Sequence, residues 1–286
     1  MSPPLLGAHR LGFGYRGKPV GRDLDLEVHA GEVLCLLGPN GSGKTTLFKT
    51  MLGLLPPQAG EVRLGGRPIA ALARDEIARR VAYVPQAHAA HFPFRVADMA
   101  VMGRTAHLGP FASPSSGDHA KARAALDALG IADLAETEYT RISGGQRQLV
   151  LVARALAQDA PAIVMDEPTA SLDFGNQVVV LSEVRRLAAR GLAVLLSTHD
   201  PDHAFSIGHR VALLDEGRLV AVGKPDDVLT PERLRAVYGV TVAVERLSRG
   251  QTVCAPDYGI AQVPAGVSPI APIPDRVKGN VKSSIE

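Results

Sequence analysis

The residues with the clearest chemistry are Gly38-Pro39-Asn40-Gly41-Ser42-Gly43-Lys44-Thr45-Thr46. Their spacing is G-x-x-x-x-G-K-[ST], which serves phosphate. Glycines let the backbone come close to a ligand, and N–H groups at a helix start turn partial positive charge toward an anion. A lysine placed as Lys44 reaches the β- and γ-phosphates of a nucleoside triphosphate, and a hydroxyl placed as Thr45 binds Mg2+. The apolar run Val33-Leu34-Cys35-Leu36-Leu37 before the loop predicts a strand, and Thr46 to Leu55 predicts a helix. That frame separates a ligand-binding loop from an ordinary glycine-rich turn.

Two further segments carry chemistry. Ala162-Ile163-Val164-Met165 runs into Asp166-Glu167. A buried strand that stops at the surface places both carboxylates at its carboxyl edge, where open parallel sheets bind ligands. Alone, such a pair is as readily two solvated acids. Beside a phosphate loop, Asp166 is expected to hold Mg2+ and Glu167 to act as general base on the attacking water. In Ile142-Ser143-Gly144-Gly145-Gln146-Arg147-Gln148, Ser143 fits an N-cap, and two glycines free the N–H groups that follow it. This predicts a second anion site at a helix N-terminus, against an ordinary capped helix.

These residues need a sheet to hold them. Ala162–Met165 and Ala193–Ser197 are short, fully apolar runs, and Gln146–Gln158 and Asn176–Arg190 read as helices. Continuous apolar strands alternating with helices predict an α/β fold with a mostly parallel sheet covered on both faces. Ahead of it, Arg10–Tyr15 and Leu24–His29 read as strands flanking a turn-rich piece, and Glu61–Leu64 reads as another. Val96 to Gly130 reads as helical, broken at Gly109-Pro110 and Ser113-Pro114. Val211–Leu214 and Leu219–Val222 read as a hairpin. Val240–Val253 reads as β-like, and the proline-rich Val263–Glu286 as a mostly disordered tail.

The chain has 286 residues, 46% apolar and 21% charged, which suits a globular protein with a sizeable core. A net charge of +2 without blocks of like charge gives no sign of a nucleic-acid surface. Its two cysteines, Cys35 and Cys254, have no metal-ligand spacing, and Cys35 is expected in the core of a reduced protein. No run approaches about eighteen consecutive apolar residues and no signal-peptide pattern opens the chain. Work at a membrane would therefore go through a partner.

With Ser143-Gly144-Gly145-Gln146 in place, the sequence resembles the ATP-binding cassette (ABC) family, whose signature reads Leu-Ser-Gly-Gly-Gln; Ile142 replaces the leucine. The resemblance runs from about Leu11 to Tyr238 in the family's motif order. It implies a P-loop NTPase core with an N-terminal antiparallel β piece and an inserted α-helical subdomain at about 88–158. The ATP-binding domain would span 1–240, with 241–286 as a short β-like extension and tail. The resemblance also implies a head-to-tail homodimer in which each ATP lies between one copy's phosphate loop and the other's signature. By the same resemblance Tyr15 stacks on adenine, Gln86 senses Mg2+ and the attacking water, Asp173 of Ser171-Leu172-Asp173 meets the opposite subunit, and His199 holds the γ-phosphate.

The branch follows from what the chain lacks. Lys44 and Ser143 have no sustained heptads between them, as repair proteins of the family do, and the chain carries a single cassette, unlike translation factors. Phe94–Arg104, the helix around Asp118 and Leu172–Gln177 resemble importers of metal chelates: ferric siderophores, haem, cobalamin or molybdate. The expectation is an ATPase subunit using ATP and Mg2+ on the cytoplasmic face of the inner membrane. It would be held there by two transmembrane permease subunits, with a substrate-binding protein as indirect partner. The alternatives are a soluble cassette ATPase of an assembly system, such as iron–sulfur cluster delivery, and a nucleotide-switched module that does not hydrolyse.

Overall fold

The computed structural model describes residues 3–86, 92–109 and 111–257. The expected tail, Val263–Glu286, and the Pro110 break lie outside these residues. In chain order the elements are β1 (Leu6–Tyr15), β2 (Lys18–Val28), β3 (Val33–Leu37), α1 (Lys44–Met51), β4 (Ala59–Leu64), β5 (Arg67–Pro68), α2 (Arg74–Arg80) and β6 (Val81–Val84). Next come α3 (Val96–Val101), α4 (Ser116–Ala128), α5 (Gly144–Ala157), β7 (Ala162–Asp166), α6 (Phe174–Ala189), β8 (Ala193–Thr198) and α7 (Pro201–Ile207). The chain continues through β9 (Arg210–Asp215), β10 (Arg218–Gly223), α8 (Pro225–Val228), α9 (Pro231–Tyr238), β11 (Val242–Arg246) and β12 (Thr252–Pro256).

The central sheet has the order β10-β9-β3-β8-β7-β6. Four of its pairings are parallel and only β9–β10 is antiparallel. β3, β7 and β8 are buried at every position, which is why they are apolar throughout except at the carboxyl ends of β7 and β8, where Asp166 and Ser197-Thr198 stand. Alternation along β3 divides the core in two. Val33, Cys35 and Leu37 join a cluster with α5 and α6, while Leu34 and Leu36 join one with α1 and the N-terminal strands. Burial pushes the Cys35 thiol up to about 12, so it stays a protonated core residue.

Register is what matters for chemistry. Leu37 stands opposite both Thr198 and Leu213, Asp166 opposite Ser197, and Val84 opposite Met165. The carboxyl ends of β3, β8, β7 and β6 are therefore level. The residues that follow, Gly38, His199, Glu167 and Pro85, emerge along one edge.

A second, antiparallel sheet, β2-β1-β4-β5, packs its buried leucines over α1. Its first two strands are longer than the sequence suggests, starting at Leu6 and Lys18 rather than Arg10 and Leu24. Helix α1 begins at Lys44 and ends at Met51, not Leu55, because Gly53 turns into the left-handed region and Pro56-Pro57 follow. The segment from Val96 breaks twice: α3 passes into a 3-10 stretch, Met102–His107, and α4 restarts at a Ser115/Asp118 capping box. The buried Arg104 guanidinium holds these pieces together. It donates to Asp118 Oδ1 at 2.8 Å and to the carbonyls of Ala157 and Gln158 at 3.0 and 3.2 Å. Water-exposed pairs such as Arg95–Glu136 are worth at most about 1 kcal/mol. Arg104 is shielded from water and ties α4 to the end of α5, so it is the ion pair that fixes the packing here.

Candidate functional site

The phosphate loop is the turn between β3 and α1. Gly43 stands at φ +104°, and a Cβ there would come within 2.7 Å of Val20 Cγ1. Gly38 leaves β3 so close to β9 that a Cβ would lie 2.2 Å from the Leu214 carbonyl oxygen. The loop is braced by Ser42 N–H on the Pro39 carbonyl and by Gly217 N–H on the Ser42 carbonyl. Among the described residues no side chain caps the N-terminus of α1, and Ser42 Oγ is buried without a hydrogen-bond partner. Helix-start N–H groups have no partner inside their own helix. The loop therefore offers donors that an anion would satisfy, and it fits a phosphate group.

Lys44 is buried. Its Nζ donates to the carbonyls of Gly38 and Pro39 at 2.8 and 3.1 Å and lies 3.5 Å from Glu167 Oε1. The other oxygen of Glu167 is 3.8 Å from His199 Nδ1. Glu167 itself has φ +47°, a left-handed conformation that costs a non-glycine residue energy. Its N–H donates to Ser197 Oγ at 2.9 Å, and the same hydroxyl donates to Asp166 Oδ1 at 2.7 Å. Ser197 thus fixes both acids through one side chain. Gln86, Lys44, Thr45, Thr46, Asn40, Gly41, Gly43 and Glu167 line one cleft of about 520 Å3, joined by Lys18 and Val20 of β2.

Ser197, Lys18 and Val20 join the site without any signal in the sequence. A serine closing an apolar strand looks like the end of the strand, and nothing near Lys18 in the sequence points to phosphate.

Other expected residues stand apart from the cleft. Ser143 caps α5: its Oγ accepts from Gln146 N–H, and Gln146 Oε1 accepts from Ser143 N–H. Gly144 and Gly145 follow in the first turn, and Gly145 packs against the Ser171 carbonyl. Asp173 caps α6, accepting from Asn176 N–H at 2.8 Å. None of these residues lines the cleft around Lys44. Tyr15 lies beside the turn between β1 and β2, 45% exposed, paired with Lys18 and outside the cleft wall. Phe13, two residues earlier, is the buried aromatic.

The sequence profile described as ABC transporter matches residues 22–170, more than half of the chain. The chain belongs to the ABC transporter family. It is 43% identical to an uncharacterised ABC transporter ATP-binding protein of Haemophilus influenzae over 82% of this chain and 89% of that one. It is 40% identical to the hemin import ATP-binding protein HmuV of Gloeobacter violaceus, covering 86% of this chain and 91% of that protein. Among solved structures, an inward-facing ABC transporter assigned to the metal-chelate type superposes with a TM-score of 0.78. It is 33% identical and covers 90% of this chain and 98% of its own. The fold is that of an ABC cassette, the P-loop NTPase expected from the sequence, and the protein is an ABC-type ATPase. Among the described residues, no helix of the cassette is long and apolar enough to cross a membrane.

Proposed function

We propose that this cassette is the ATPase subunit of an importer for a metal chelate or oxyanion of the haem, siderophore, cobalamin or molybdate type. The observation that carries the catalytic part is the meeting of Lys44, Glu167 and His199 at the level edge of β3, β7 and β8. The loop Gly38–Thr46 cradles the triphosphate, with Lys44 on its terminal phosphates. Glu167 takes a proton from the attacking water, and His199 orients the γ-phosphate. Thr45, Gln86 and Asp166 are hard oxygen donors of the kind Mg2+ prefers, and the cation would supply charge neutralisation to the phosphates. Tyr15, beside the cleft, stacks on the adenine.

Ser143–Gln146 and Asp173 act on the ATP of a second copy, which makes the working unit a homodimer. The expected membrane partners are two permease subunits, which would place the cassette on the cytoplasmic face of the membrane. One surface suits them. A cleft of about 340 Å3 runs between Leu52, Leu54, Ile77, Tyr83, Met102 and Arg154, with Leu54 and Met102 exposed at its rim. It lies against the β6 strand that leads to Gln86, so a helix seated there could feel the nucleotide. The cargo class rests on the relatives: the hemin importer subunit and the metal-chelate type transporter both match most of their length to this chain.

Glu167→Gln keeps the shape of the side chain and removes the base. It is expected to slow turnover of Mg-ATP by at least about a hundredfold while leaving ATP affinity within a few-fold of wild type. Turnover at the wild-type rate would exclude Glu167 as the base.

A further inference from the structure

Behind the nucleotide edge, the hairpin β11–β12 folds back on the chain. Cys254 N–H donates to Asp202 Oδ1 of α7 at 2.7 Å, and Thr252 Oγ1 lies 3.2 Å from Asp226 Oδ1 of α8. Between the hairpin, α6, α7 and the start of α8 is a cleft of about 680 Å3. That falls within the usual 300–1,000 Å3 of small-molecule sites, taken as a rough range.

The charges around it are lopsided in a specific way. Its two acids, Asp202 and Asp226, are the ones already engaged by the hairpin. Its cations, Arg185 of α6, Lys224 before α8 and Arg246 at the end of β11, have no hydrogen-bond or ion-pair partner among the described residues. His209 adds a fixed donor. Its Nδ1 accepts from the Val33 N–H at 3.1 Å, so the neutral ring carries its proton on Nε2. The neighbouring Arg186 is instead spent on Glu183. Guanidinium groups pair with carboxylate and phosphate in a two-bond fork, and free guanidinium groups converging on a cleft suit such a group.

We propose that this cleft binds a small polyanion bearing two or more carboxylate or phosphate groups, held by Arg185, Lys224, Arg246 and His209. The cations sit at three separate places in the fold, so a ligand with two or more anionic groups suits them better than a single charge does. Its seat touches Asp202, Phe205 and Ser206 of α7, the helix that begins two residues after His199. Binding clamps the hairpin to the same helix that follows the nucleotide edge.

The test is calorimetry on the full chain with citrate as the carboxylate probe and inorganic pyrophosphate as the phosphate probe. ADP in excess keeps the phosphate loop filled. One molecule of either probe per chain is expected to bind saturably. The double variant Arg185→Ala/Arg246→Ala should weaken it by at least about tenfold, since each charge-assisted bond is worth that much. Both arginines are exposed and have no partner among the described residues, so the variant should melt with the wild type; its thermal midpoint verifies this. Hydrogen exchange should show the amides of Thr252–Cys254 slowed by the bound probe. Preference between the probes identifies the anionic group. No saturable binding of either, or binding that the double variant leaves unchanged, overturns the proposal.

Discussion

Glu167 and Asp166 are adjacent in sequence, yet the structure asks opposite things of them. Asp166 ends a buried strand, while Glu167 must turn toward Lys44 and His199 in a backbone conformation that a non-glycine residue resists. Ser197 offsets part of that cost, because its hydroxyl accepts the Glu167 N–H and donates to Asp166. Ser197→Ala removes both bonds without adding bulk. It is expected to lower kcat for ATP about 10- to 100-fold, as removal of a ligand-orienting group does, with KM nearly unchanged. Steady-state kinetics separate this from a binding defect; an unchanged kcat would show that the acids hold their places unaided. The contrast also marks what single residues disclose. Lys44, Thr45, Asp166 and Glu167 stand out in the sequence because their chemistry is unusual at that spacing. Ser197 and Lys18 do not, because their importance lies in contacts across the sheet.

The same division holds for elements. β3, β7 and β8 are legible directly, since a strand buried on both faces is apolar until it reaches the edge where Asp166 and Ser197 stand. β1 and β2 run longer than their sequence pattern shows because their pairing slips. Register shifts fall between Ala8 and Leu11 and again near Phe13, with Arg10 and Asp23 at positive φ, and each bulge breaks the period-two pattern that reveals a strand. At the far end of β8, α7 is anchored by Thr198 and His203. Thr198 Oγ1 lies 3.0 Å from His203 Nδ1 and accepts the Asp200 N–H, and His203 Nε2 is 3.4 Å from Asp200 Oδ2. Burial, which outweighs nearby Asp200, lowers the His203 pKa below its ordinary value. The unfolded chain then takes up the proton more readily than the folded one. His203 therefore costs stability as pH falls below the unfolded value of about 6.5, and costs nothing well above it. The thermal midpoint should drop between about pH 7.5 and about pH 5.5, and His203→Gln should flatten that drop. Equal slopes in the two proteins would assign the acid sensitivity to other groups.

Across the whole molecule, the phosphate loop and the Ser143–Gln146 turn are two glycine-bearing helix starts, and only the first borders the cleft that holds Glu167. Ser143 and Asp173 both cap helices, a local duty that explains their residue types without any ligand. Gly145, in the first turn after Ser143, lies close to the Ser171 carbonyl just before Asp173, so the two exposed caps are neighbours. A second copy turned by a two-fold axis would bring that surface over the cleft, and the same axis would return the favour, so both sites would close together. This arrangement can be separated from simple helix capping. Aspartate caps a helix as well as serine does, so Ser143→Asp should leave α5 and the thermal midpoint intact. The added negative charge would face the triphosphate of the partner and oppose closure. Chain carrying Glu167→Gln, given ATP, should elute as a dimer in size-exclusion chromatography, because bound ATP is no longer consumed. With Ser143→Asp added, it should elute as a monomer that still binds ATP with single-chain affinity. A dimer that survives Ser143→Asp would place the second anion site elsewhere and leave Ser143 as a cap alone.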